Sequence, residues 1–201
     1  MSETVQAIMD AAERMIRQGG YNGFSFREIA ADVGIKSASV HYHFPTKEAL
    51  AAAVAHRYTD RFGDAVEAEK SSGLNTVAAW RRVFQRSFAE DGRMCLCGAL
   101  GAAARDLPDE VAAEAKRFFE VGIERLMASG MTREEALKVL ATLEGAMLMS
   151  SALAMRAPST TRRRNSPKSS AFRAWKRSAA ANPRRRAACA ARRNARPSCH
   201  P

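Results

Sequence analysis

SFREIAADVGIKSASVHYHFPTK, residues 25–47, reads as two short helices and the turn between them. Ser25 followed three positions later by Glu28 is a capping box. It starts a helix by satisfying backbone N–H groups that have no partner inside the helix, a gain of about 0.5–2 kcal/mol. Ile29, Ala30 and Val33 form the apolar face of that helix. Gly34 ends it, because glycine leaves a helix through the left-handed region at no steric cost. In the second helix Ile35 and Val40 face back, leaving Ser37, Ser39, His41, Tyr42 and His43 outside. Two short helices joined by a glycine-containing turn form a helix-turn-helix, whose second helix enters the DNA major groove. That helix is polar and aromatic on its outer face and carries no acid, which suits it to phosphates and base edges.

The segment resembles the DNA-binding domain of the TetR family of bacterial transcriptional repressors. Ser25, the Ile29-Ala30 pair, Gly34-Ile35, Tyr42-His43-Phe44, Lys47 and Leu50 stand at the family's spacing, within a match over about residues 5–54. The resemblance implies that Lys36, Ser37, Ser39, His41, Tyr42 and His43 line the groove face. It also implies that Ser25 and Lys47 touch phosphates and that Arg27 reaches a base or a phosphate. Basic contacts to phosphate position such a protein, and base-edge contacts specify the sequence. One departure is His41, which stands where the family has its first tyrosine. As metal ligands His41 and His43 are poorly placed, since side chains two apart on a helix diverge.

The rest of the chain is helical in pattern, so the fold class expected is all-α, with a three-helix DNA-binding domain over 1–46 and a helical regulatory domain over 47–155. A first helix spans Glu3 to Gln18, ended by Gly19-Gly20. Thr46 caps a long helix to about Glu69, with Leu50, Val54, Tyr58, Phe62 and Val66 on one side. Helices follow over 75–89 (Val77, Trp80, Phe84, Phe88), 94–105, a run of small residues, and 109–128 (Val111, Ala115, Phe118, Phe119, Leu126). A second capping box, Thr132 to Glu135, opens a helix through Met155 with Ala136, Leu137, Leu140, Leu143 and Met147 inward. The resemblance implies an effector cavity in this region. Trp80, Phe84, Phe88, Phe118, Phe119, Met127 and Met147 are the candidate lining; the same spacing also describes an ordinary core, and both readings stay open.

Composition divides sharply at residue 156. Residues 156–201 carry 12 Arg and 2 Lys and no acid, leaving 18 basic residues against 21 acids in 1–155, so the net charge of +11 resides in the tail. The tail has no Leu, Ile, Val or Met, and only Phe172 and Trp175 are large and apolar. Ordering each residue costs roughly 1–2 kcal/mol of backbone entropy, so the tail is expected to be disordered. It is either a genuine basic arm or the out-of-frame reading of a GC-rich gene; the abruptness of the change favours the second. The resemblance implies a homodimer built on two helices per protomer, of which only the 133–155 helix is readable. A monomer or weak dimer with an exposed strip along Leu140, Leu143 and Met147 is therefore expected.

The functional expectation is a repressor on a palindromic double-stranded operator, released by a small-molecule effector. The localisation expected is cytoplasmic, because no run of 18 apolar residues and no leader pattern is found, and no membrane partner is expected. No cofactor or metal is expected: Cys95, Cys97, Cys189 and Cys199 form neither a disulfide framework nor a zinc spacing. An enzyme using Cys95 or Cys97 as nucleophile would lack a base, since His41, His43 and His56 belong to or adjoin the DNA-binding region. A nonspecific nucleic-acid binder acting through the tail is the other rival. It would be marked by a salt dependence that 14 tail charges dominate.

Overall fold

The structure is a computed structural model that describes residues 2–155, with side chains through Leu153. Among the described residues eight α-helices run in order: α1 Glu3–Gly19, α2 Phe26–Val33, α3 Ser37–His43, α4 Lys47–Ser71, α5 Thr76–Asp91, α6 Leu96–Gly101, α7 Asp109–Met127 and α8 Arg133–Met155. No strand occurs among the described residues. The tail over 156–201, its expected disorder, Cys189 and Cys199 lie outside the described residues.

Each cap read from the sequence has its geometry. The Ser25 hydroxyl accepts from the Glu28 backbone N–H at 3.3 Å and donates to the Glu28 carboxylate at 2.7 Å. Thr46 accepts from Ala49 N–H at 3.0 Å; Asn75, read only as a helix start, also proves to be a cap, accepting from Ala78 N–H at 2.9 Å. At Thr132 the box is reciprocal: Glu135 N–H donates to the Thr132 hydroxyl at 3.3 Å, and Thr132 N–H donates to the Glu135 carboxylate at 2.8 Å. Gly34 closes α2 at φ 77°, in the left-handed region. The Ile35 N–H then reaches back to the Ala30 carbonyl at 2.9 Å, the six-to-one bond of a Schellman stop.

α4 is the spine. α7, α5 and α1 all pack against it. Leu50, Val54, Tyr58, Phe62 and Val66 of α4 are all buried, as their four-residue spacing requires. Around Phe62 an aromatic cluster forms, with ring centroids 5.5 Å to Trp80, 5.0 Å to Phe84 and 5.3 Å to Phe118. Such tilted and edge-on pairs add to the stabilisation from burial alone.

Three expectations need correction. The helix read over 94–105 is only the six-residue α6, followed by a separate 3₁₀ turn at Ala104–Asp106. Glycines at 98 and 101 weaken the helix, and Phe119 of α7 packs against Gly101. Leu137 does not face inward; it is 46% exposed. Nor do Leu140, Leu143 and Met147 form an exposed strip, since Leu140 and Met147 are buried and Leu143 packs half-buried on the core. The outward apolar residues of α8 are instead Leu137, Leu148, Met149 and Leu153. α8 is apolar on both flanks, so by length and composition Arg133–Leu153 could also cross a membrane, a property that the search for an unbroken apolar run does not reveal. Its inner flank packs on α7 and α5.

Candidate functional site

The capped stop at Gly34 and the burial of Val40 hold α3 against α2, so that the polar side of α3 faces away from the core. Tyr42 is 84% exposed and its ring lies 5.0 Å from that of His43. The exposed His41 packs its ring on Phe26 of α2 at 4.6 Å, so the imidazole standing at the family's tyrosine position is held rather than free. Ser37 and Ser39 are half-buried at the start of α3, behind the exposed Lys36. Arg27 is exposed on the first turn of α2. These side chains stand on α3, on the residue before it and on the first turn of α2, and no acid lies in the first turn of α3.

Ser25 and Lys47 sit at the two helix starts that flank this face. The Ser25 hydroxyl is engaged in its cap, which leaves the residue a lone pair and its own backbone N–H for a further partner. Lys47 carries a feature that the motif does not predict: its ammonium lies 4.7 Å above the Tyr21 ring and 4.6 Å above the Phe24 ring. Two ring faces attract and orient the cation without neutralising it. Tyr21 is itself fixed by donating to Glu48 at 2.9 Å. Burial, followed by that carboxylate, pushes its phenol up to about 12.

A second unforeseen element joins α1 to the end of α5 and the segment before α6. Arg17, at the last turn of α1, buries its guanidinium and donates to the Met94 carbonyl at 2.8 Å and the Asp91 carboxylate at 3.0 Å. It also donates to the Ser87 hydroxyl at 3.2 Å and to the Ser87 and Arg93 carbonyls, each at 3.3 Å. All these acceptors lie on the last turn of α5 or in the loop into α6. One turn earlier, Glu13 pairs with Arg57 at 3.0 Å and Arg61 at 2.9 Å on α4. A charged residue within an amphipathic helix looks solvent-facing in a sequence, so neither link could be read there.

Of the candidate cavity lining, Trp80, Phe84, Phe118 and Met147 are buried, Phe88 and Phe119 are half-buried, and Met127 is 41% exposed. The first three belong to the aromatic cluster around Phe62. Two open clefts are lined by other residues. One, of about 170 Å³, lies beside Glu13, Arg17 and Tyr58; the other, of about 580 Å³, lies along His56, Asp60 and Glu114. His56 Nδ1 is 3.1 Å from the Glu114 carboxylate. Cys95 and Cys97 are fully buried and unpaired, and burial pushes both thiols up, away from the nucleophilic thiolate. Among the described residues no His, Cys, Asp or Glu cluster could hold a metal.

Comparison with known proteins agrees with this geometry. The family model described as bacterial regulatory proteins, tetR family, matches residues 8–54. An uncharacterized HTH-type transcriptional regulator of Bacillus subtilis, YuxN, is 30% identical over 82 residues, which are 41% of this chain but only 28% of that protein. A TetR transcriptional regulator from Legionella pneumophila superposes with a TM-score of 0.69 at 32% identity, covering 77% of this chain and 90% of the other. The multidrug binding protein EbrR, in complex with malachite green, superposes with a TM-score of 0.56 at 26% identity, over 75% of this chain and 88% of its own. By its helix-turn-helix, its helical order and a 32% identical relative of which it covers 90%, the chain belongs to the TetR family of bacterial transcriptional regulators.

Proposed function

We propose that the chain is a repressor that binds a palindromic operator as a homodimer and leaves it when a small molecule occupies residues 47–155. The observation that carries the DNA half is the outward polar face of α3, with Tyr42 extended from it and Lys47 held beside it by two rings. In this reading Ser25, Arg27, Lys36, Tyr42 and Lys47 hold the backbone, and Ser37, Ser39, His41 and His43 meet base edges. The exposed apolar flank of α8 supports pairing with a second copy, since a contiguous apolar surface marks an interaction site. EbrR supports a ligand-responsive interior. Release follows if the ligand favours a protomer spacing that the operator does not accept. A regulator of this kind works where the chromosome is, in the cytoplasm.

Selection of bound duplexes from a random pool tests the reading. The expected product is a two-fold symmetric site whose half-sites lie about one helical turn apart, roughly 34–36 Å. Recovery of no preferred sequence, with affinity collapsing steeply in salt, would instead favour the nonspecific binder acting through the basic tail.

A further inference from the structure

Tyr21 opens a 3₁₀ turn, Tyr21–Gly23, between α1 and α2, and Phe24 directly follows it. The turn sits tightly on α1, since a Cβ at Gly23 would come within 3.3 Å of the Met15 carbonyl oxygen. It sets the two rings edge to face, with centroids 6.3 Å apart and an angle of 89° between their planes. Phe24 is fixed by burial, and Tyr21 by donating its hydroxyl to Glu48 at 2.9 Å. Both rings face the start of α4, where the Lys47 ammonium lies within 4.7 Å of each centroid.

Lys47 differs from the lysines further along the chain. Lys70, Lys116 and Lys138 each pair with a carboxylate three or four positions away. At those spacings Lys47 has His43, Phe44, Leu50 and Ala51, and it pairs with no carboxylate among the described residues. The acid next to it, Glu48, is turned to other partners. Its own backbone N–H, then Tyr21 and Thr46, hold its carboxyl below the usual carboxylate range. Tyr21 therefore acts twice, with its ring against the cation and its hydroxyl on the neighbouring acid. A ring face attracts an ammonium and leaves its charge whole, whereas a paired carboxylate would cancel it. A lysine stem must also give up rotamer freedom to meet a fixed phosphate. Held by two rings, this stem gives up much of that freedom before DNA arrives.

We propose that Tyr21 and Phe24 are positioning residues for DNA binding, holding the Lys47 ammonium unpaired and oriented for an operator phosphate. This rests on the reading that Lys47 meets the DNA backbone, and it names what prepares that contact. Neither ring belongs to the helix-turn-helix, and neither touches DNA in this account. They act through the cation alone.

The test is a set of mutant cycles on the full chain, with affinity for the duplex recovered by selection read from fluorescence anisotropy. Lys47→Met should weaken binding and lower the salt slope by about 1. Tyr21→Leu and Phe24→Leu should each weaken binding by roughly two- to fivefold per protomer, the worth of one exposed cation–ring contact. In the Lys47→Met background the same ring changes should cost nothing further. Tyr21→Phe keeps the ring and should keep the affinity. In the free chain the Lys47 ε-methylene protons should be shifted upfield by the rings, and each leucine variant should reduce that shift. Ring losses that persist in Lys47→Met would show the rings to act through the fold and would overturn the proposal. So would an unshifted ε-methylene, or a Tyr21→Phe as damaging as Tyr21→Leu. If Phe24→Leu melts the domain, the cycle through the half-buried Tyr21 decides alone. Intact affinity in the leucine variants beside an impaired Lys47→Met would remove this inference and leave the Lys47 contact standing; intact affinity in Lys47→Met would remove both.

Discussion

Replacing Glu144 with Gln should make the protein's stability less sensitive to pH, and the size of the effect can be worked from burial. Desolvation raises the Glu144 carboxyl from 4.5 to about 7, with the Cys95 thiol opposing only in part. The folded chain therefore holds this proton more tightly than the unfolded chain does. Between those two values the folded state carries more protons, so stability falls as pH rises through the window and levels off above it. Each tenfold gain in proton affinity corresponds to about 1.4 kcal/mol, so the ionised carboxylate costs about 3 kcal/mol above the window, most of which develops between pH 5 and pH 8. A buried Gln amide without partners also costs roughly 1–3 kcal/mol, but equally at both pH values. The pH dependence of the difference between the two proteins thus isolates the carboxylate. With a slope of about 2 kcal/mol per molar urea, the wild-type midpoint should drop by on the order of 1 M relative to Glu144→Gln on going from pH 5 to pH 8. Midpoints that move in parallel would mean that water or a partner reaches the carboxylate, and the desolvation argument would fail.

Gly34→Val places a β-branched residue at φ 77°, a conformation costing about 1–3 kcal/mol; operator binding in a gel shift should be lost while helicity by circular dichroism is largely kept, and full affinity would refute the turn's role. Arg17→Ala leaves the carbonyls of Ser87, Arg93 and Met94 without this donor, while the Asp91 carboxylate keeps Arg93. Leaving a buried acceptor unsatisfied costs about 1–3 kcal/mol, so a clear fall in the urea midpoint is expected, and a change under about 1 kcal/mol would show the bonds to be replaced by water. Tyr42→Ala and Lys47→Ala should weaken binding to operator and random duplex alike. Ser39→Ala or His43→Ala should change base preference by about 1–3 kcal/mol at one position, and equal losses on both duplexes from all four variants would remove the division of roles.

The helix-turn-helix is legible in the sequence because its signals are local. Ser25, Glu28 and Gly34 act on backbone groups within a turn or two, so spacing alone specifies their geometry. α6 misleads because alanine and cysteine suggest helix, while two glycines and the packing of Phe119 decide where it stops. α8 misleads in phase. With apolar residues on both flanks, periodicity cannot say which flank meets its own core, and Leu137 turns out while Leu140 turns in. The aromatic stripe of α5 announces burial at Trp80 and Phe84 but cannot separate cavity from core, because both need the same residues. Arg17 and Glu144 are unreadable for a different reason. A lone charge is drawn inward only by partners, or left unpaired by their absence, far away in sequence: 70 to 77 positions for Arg17.

The bonds of Arg17 also decide how this molecule could be recombined with its relatives. A designer joining one regulator's reading head to another's sensor would naturally cut at residue 46, just before α4 begins. That cut preserves every element but separates Arg17 from Ser87, Asp91 and the carbonyls of Arg93 and Met94. A hybrid made there would lack these bonds, and the pairing of Glu13 with Arg57 and Arg61 would depend on what the new partner carries at those positions. The seam that must be matched is a side chain and its four-residue socket, and transplanting Ser87 and Asp91 with the head is what would keep Arg17 bonded in the hybrid.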